Sequence, residues 1–132
     1  MINPRELRIG NLVKCLVHLP IGFNKPALTY SEIRELREDR LETNEGVYRY
    51  RDVSPLILSE DILLKSGGEK VSDSIIKFSD TSLIDIYIVV DNHEFFVSNE
   101  VGEKYSIKIE SVHQFQNLYF ELKRKEANIK LK

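Results

Sequence analysis

The strongest constraint on folding lies in the last third of the chain, where a period of two gives way abruptly to one of three and four. Tyr105, Ile107 and Ile109 alternate with Ser106, Lys108 and Glu110, the pattern of a strand with two unlike faces. The chain then runs straight into Ser111-Val112-His113-Gln114-Phe115-Gln116-Asn117-Leu118-Tyr119-Phe120-Glu121-Leu122. There Val112, Phe115, Leu118, Tyr119 and Leu122 fall at helical spacing and make one apolar stripe. A strand feeding such a helix predicts a small sheet covered by a helix, and hence an α+β fold. Lys123-Arg124-Lys125 suits the negative end of the helix dipole.

The period of two begins near Asp73. Ile75 to Phe78 and Leu83 to Val90 read as strands joined by the turn Ser79-Asp80-Thr81-Ser82. Asp91-Asn92-His93-Glu94 turns the chain into Phe95-Phe96-Val97, and Gly102 lies in the turn before the last strand. Connections this short favour an antiparallel meander, because parallel neighbours need long crossovers. Both faces of the strand from Leu83 are candidates for the core. Ile84, Ile86, Ile88 and Val90 make the better inner face, since Asp85 and Asp91 share the other. The expected core is Ile75, Ile84, Ile86, Ile88, Ile107, Ile109, Phe115, Leu118 and Leu122.

The first half is strand-rich. Gly10-Asn11 is a turn signal, and Leu12 to about His18 reads as a strand. Pro20, Gly22, Asn24 and Pro26 make a loop. Thr29 with Glu32 has the form of a capping box, and Leu28 with Ile33 that of a hydrophobic staple, so a short helix is expected there. The charged stretch from Arg37 to Glu45 then reads as a solvated helix end and loop, and Val47 to Arg51 as a strand. Ser59, followed by Glu60 and Asp61, caps a second short helix, with Leu58 and Leu63 as its staple and Gly67-Gly68 as its stop. One domain is expected, with a subdomain boundary near 55–70.

A chain of 132 residues buries roughly two-thirds of its unfolded surface, enough for a core without metal or disulfide. With 19 basic and 21 acidic residues, a general phosphate-binding surface is disfavoured, although a local patch is not. Cys15 is the one cysteine, which excludes an intrachain disulfide. The first residues are charged and the longest apolar run, Ile86 to Val90, is far too short for a membrane span, so the expected compartment is the cytoplasm.

No catalytic site, cofactor site or metal site is predicted. Cys15 and His18 have superficial ligand spacing, but an offset of three on a strand points them to opposite faces. Cys15 reads as a small buried hydrophobe. The chain has no nucleophile elbow, phosphate-cradling glycine motif or zinc-protease helix. Two groups of residues remain as binding candidates. Tyr48, Arg49, Tyr50 and Arg51 alternate aromatics with cations, as a strand that stacks bases and contacts phosphate would. On the last helix His113, Gln116 and Asn117 lie away from the apolar stripe and Phe120 sits between the faces, so these four form a candidate partner surface.

Three blocks carry a resemblance: Asn3-Pro4-Arg5-Glu6-Leu7-Arg8-Ile9-Gly10-Asn11-Leu12-Val13, Pro55-Leu56-Ile57-Leu58-Ser59-Glu60-Asp61-Ile62-Leu63-Leu64-Lys65, and Ile109 to Phe120. In this order they resemble a group of small uncharacterised proteins encoded in gut Bacteroidetes genomes and their phages or mobile elements. Leu58-Ser59-Glu60-Asp61 stands where that group often has leucine-threonine-glutamate-glutamate, with the same capping chemistry. The resemblance implies no catalytic residues. It does imply a first half like a small SH3-like barrel, whose closure the charged insertion from Thr29 to Glu45 puts in question. The expected function is a non-catalytic accessory or protein-interaction role in a phage or mobile element, acting on an unidentified protein or by self-association. The alternative is a small nucleic-acid-binding module.

Overall fold

Gly10 takes a φ of 96° that other residues adopt at a cost, and it turns the chain into the first strand. Asn11, fully buried, holds this turn by accepting the Arg8 amide on Oδ1 at 2.7 Å. The computed structural model describes residues 2–17, 27–79 and 84–131. The chain divides into two compact units, Met1–Leu56 and Ile57–Lys132. The predicted loop from Pro20 to Pro26, most of the turn from Ser79 to Ser82, and His18 and Leu83 lie outside the described residues.

In the first unit β1 (Leu12–Val17) pairs antiparallel with β2 (Ala27–Leu36) on one side and β5 (Val53–Pro55) on the other. β2 passes to β3 (Arg40–Thr43) and β4 (Gly46–Arg49), giving the order β4-β3-β2-β1-β5. A 3₁₀ turn, Tyr50–Asp52, joins β4 to β5. Alternation sends Val13, Cys15, Ile33, Leu41 and Val53 into one core with Ile2 and Leu7, against which Leu36, Tyr48 and Tyr50 pack. β4 and β5 are the two edges of this sheet, so the strand-rich first half is present without a closed barrel among the described residues.

The helix expected from Thr29 is instead the strand β2, and the loop expected beyond Arg37 contains β3. Local capping signals stabilise at most two turns there, and a helix that short is marginal alone. As a strand the same residues gain two hydrogen-bonded neighbours and bury Ser31 and Ile33 with period two. The extra residue, Arg34, is taken up by a register shift between Ile33 and Glu35.

The second unit opens with a short bridge from Ile57 to Ser111 and a bond from the Leu58 amide to the Glu110 carbonyl at 3.1 Å. α1 (Glu60–Lys65) follows, with Ser59 Oγ accepting the Ile62 amide at 3.2 Å. Leu58 and Leu63 are both buried, as the staple requires. Gly68 lies so close to the sheet that a Cβ there would meet Ile76 Cγ2 at 2.7 Å and Phe78 Cζ at 2.9 Å. β6 (Glu69–Lys70), β7 (Ile75–Phe78), β8 (Ile86–Asp91), β9 (Glu94–Ser98) and β10 (Lys104–Ile109) then form the antiparallel meander β10-β9-β8-β7-β6. Asn92 and His93 have φ of 52° and 64° and form the two-residue turn between β8 and β9.

α2 (Val112–Lys123) starts in a complete capping box between Ser111 and Gln114. Its Phe115 ring lies 4.9 Å from Phe78, and Tyr119 lies edge-on to Phe78 at 6.4 Å, which places α2 against the Phe78 face of the sheet. Ile76, Phe78, Ile86, Ile88, Val97 and Ile109 are buried. The preferred register of β8 holds: Ile86 and Ile88 are buried and Asp85 is exposed. Two expected core residues are not core. Ile84 is 48 % exposed because it precedes β8, and Ile107 is 50 % exposed in the stretch of β10 that bulges out of the ladder.

Burial on α2 is graded along its axis as well as around it. Val112, His113, Phe115 and Gln116 are buried, whereas Leu118, Tyr119 and Leu122 are half-buried. His113 and Gln116 therefore do not lie on an exposed polar face, because the N-terminal turns of α2 are enclosed on more than one side. Lys123 stands in the last turn, at the negative end of the helix as expected, and is buried there, donating to the Ile84 carbonyl at 2.6 Å.

Candidate interaction surfaces

The four residues from Tyr48 to Arg51 do not form one alternating surface. Tyr48 is half-buried on the first core, and its burial raises its pKa above the ordinary tyrosine value. Tyr50 also packs on that core and donates its hydroxyl to the Arg37 carbonyl at 2.5 Å. The two rings expected to stack on bases are thus spent on packing. Arg49 and Arg51 are exposed, and among the described residues neither has an ion-pair partner. β4 sets Arg49 directly opposite Arg40 of β3. Like charges directly opposed on a sheet destabilise it slightly.

Beside this pair Arg37, Arg40, Leu41, Glu42 and Val47 line a shallow cleft of about 270 Å³. Its charges are largely answered from within. Arg37 Nε donates to Glu35 Oε1 at 3.0 Å, and that bond and charge hold the Glu35 carboxyl below the usual range. Glu42 lies across from Glu35 in the ladder. The result is a mixed field, in which Arg40 lies 4.0 Å from the Asp39 carboxylate and faces the exposed Arg49 of β4.

The other candidate surface is the outer edge of the second unit's sheet. β10 ends the strand order, and its only backbone neighbour among the named strands is β9. Beyond Ile109 the same side of the chain is occupied, since Leu58 donates to the Glu110 carbonyl. Among the described residues the stretch Lys104 to Lys108 is left open. Between those two lysines β10 spends four steps against two of β9, so its central residues are bulged out of the ladder. Tyr105 is 52 % exposed and Ile107 50 %. Lys104 is ion-paired with Asp91 and lies 4.8 Å over the Phe96 ring. Lys108 bonds Glu94 at 2.8 Å, which raises its pKa.

The remaining sheet edges are better protected. β5 has three residues and ends in Pro55, which has no amide to donate. β6 has two residues, both charged. β4 has four and starts at Gly46. β10 combines the longest open edge with two large apolar side chains, features that promote strand addition. The mixed alternation of Tyr105 and Ile107 with Lys104, Ser106 and Lys108 was visible in the sequence. Its position at the edge was not, because that depends on which strand pairs last.

The candidate partner residues of α2 stand apart from this edge in character. His113 is buried with its Nδ1 3.1 Å from Ser111 Oγ, Gln116 is buried, and Asn117 and Phe120 are half-buried. Cys15 is fully buried, and burial pushes its thiol up to about 11, with the neighbouring Ser31 opposing and the Asp52 charge adding. Ser31 Oγ is itself buried without a geometrically sound partner, although it lies near enough to the thiol to oppose that shift. Among the described residues no group of three or more histidine, cysteine or acidic side chains is assembled to hold a metal. No helix among them is long and apolar enough to cross a membrane. Comparison of the chain with protein-family models, curated proteins and solved structures finds no match to any of them.

Proposed function

We propose that this chain is a non-catalytic interaction protein, an accessory of a phage or mobile element, that engages protein through the edge of β10. The open stretch from Lys104 to Lys108, with Tyr105 and Ile107 exposed on it, carries this reading. An added strand would gain main-chain hydrogen bonds from the bulged backbone and side-chain contacts from the two apolar residues. The phage or mobile-element setting rests on the three sequence blocks described above.

The experiment is affinity capture from the native host with the wild-type chain and an Ile107→Lys variant. Stoichiometric capture by the wild type and its loss in a variant with an unchanged melting temperature is the expected result. Equal capture by both, or capture by neither, overturns the reading.

A nucleic-acid-binding role is the second reading, favoured by one observation, the exposed and directly opposed Arg40 and Arg49. Fluorescence anisotropy with single- and double-stranded DNA and RNA tests it. Phosphate contacts release condensed cations, so binding that weakens steeply with salt would put this reading first.

A further inference from the structure

We infer that the occupant of the β10 edge is a second copy of the same strand, paired antiparallel about Ser106 in a two-fold dimer. The inference rests on the β10 reading above and names its partner. The open stretch is Lys104-Tyr105-Ser106-Ile107-Lys108. Its pattern is cation, apolar, small polar, apolar, cation, and it reads the same in both directions. An antiparallel copy centred on Ser106 therefore sets each Tyr105 opposite the other copy's Ile107, and Ser106 opposite Ser106. Aromatic against β-branched is among the favourable cross-strand pairs. A two-fold axis produces that pair twice, since any contact made by one subunit is repeated by the other.

Neighbouring structure sets the limits of this pairing. Leu58 already occupies the backbone beside Glu110, so an added strand has room only beside Lys104 to Lys108. A register centred on Ile107 would need room beside Ile109, next to the start of α1, whereas one centred on Ser106 does not. The Ser106 register also sets Lys104 opposite the other copy's Lys108. Each of these lysines brings its own carboxylate, Asp91 for Lys104 and Glu94 for Lys108, so the four groups meet as two neutral pairs. Edge lysines and a bulge discourage indiscriminate strand addition.

Sedimentation and disulfide trapping test the inference on the full chain. The native protein should dimerise reversibly with rising concentration, and Ile107→Lys should shift it to monomer. Directly opposed strand residues have Cα atoms about 4.5–5.5 Å apart, inside the disulfide range of about 4.4–6.8 Å. Diagonal neighbours are about 7–8 Å apart and cannot be bridged without movement. Ser106→Cys should thus cross-link to a covalent dimer at least tenfold faster than Tyr105→Cys or Ile107→Cys, while the buried Cys15 stays out of the reaction. Cross-linking fastest at Ile107→Cys, or a native protein that remains monomeric at high micromolar concentration, overturns the inference. If the native chain is monomeric yet Ile107→Lys abolishes capture of a different protein, self-pairing fails and the edge reading stands. If that substitution changes neither association nor capture, both fail.

Discussion

Cys15 shows how one side chain's setting decides its chemistry. It sits on β1, opposite Thr29 and Val53, in the middle of the first core and fully buried. Removing the proton there would leave a charge in apolar surroundings, and the thiol rises from 9.0 to about 11. A thiol held protonated is a poor nucleophile, so the native protein should react with a thiol reagent at neutral pH only as fast as it opens. The shift also has a consequence for stability. Between pH 9 and 11 the folded state keeps a proton that the unfolded state has lost, so stability should fall as pH rises through that interval. Melting curves of the wild type and Cys15→Ala across that range check this. An equal alkaline loss in both would mean that the thiol is not its source.

At the scale of elements, α2 and its sheet rest on a small aromatic cluster. Phe115 is fully buried and touches Phe78 and Tyr119, whereas Leu118 is only half-buried. Phe115→Ala should cost about 3–5 kcal/mol, the range for truncating a buried aromatic, and Leu118→Ala clearly less. Denaturant unfolding of the two variants separates them, and an equal or larger loss at Leu118 would show that the helix is seated by a different face. The helical period pointed correctly to Val112 and Phe115. It assigned His113 and Gln116 to the open side because periodicity describes position around a helix axis and says nothing of enclosure along it. A similar limit explains β2. Thr29-x-x-Glu32 is a sound capping sequence, but two turns of helix cannot compete with ladders on both edges.

Over the whole molecule charge is divided unevenly. Seven of the eight arginines lie in residues 1–56, where nine basic residues meet eight acidic ones. The second unit has ten basic against thirteen acidic residues and uses lysine almost throughout. The proposed protein contact and the alternative phosphate contact therefore fall on different units. If the arginines serve no phosphate, Arg49→Glu should exchange a repulsive pair with Arg40 for an attractive one and stabilise the chain by about 0.2–1 kcal/mol. It should also leave capture and dimerisation unchanged. A thermal melt together with the association assays checks both, and loss of association in this variant would move the functional surface to the first unit.

The features legible in the residues alone are those set by near neighbours. Ser59 and Ser111 each cap the helix that follows, because a hydroxyl at that position reaches an amide three residues on. Asp91 to Glu94 turns, and the strands on either side pair with each other, because a two-residue connection leaves them little else to do. Long-range pairing settled which strands became edges, that Tyr48 and Tyr50 packed against the first core, and that Ile107 was exposed. Those outcomes depend on residues distant in the chain: β5 reaching β1, the Arg37 carbonyl meeting Tyr50, and, among the described residues, no further strand arriving beyond β10. Alternation shows that a strand has two faces. Which face or edge is covered is settled by the free energy of long-range contacts, which no local period records.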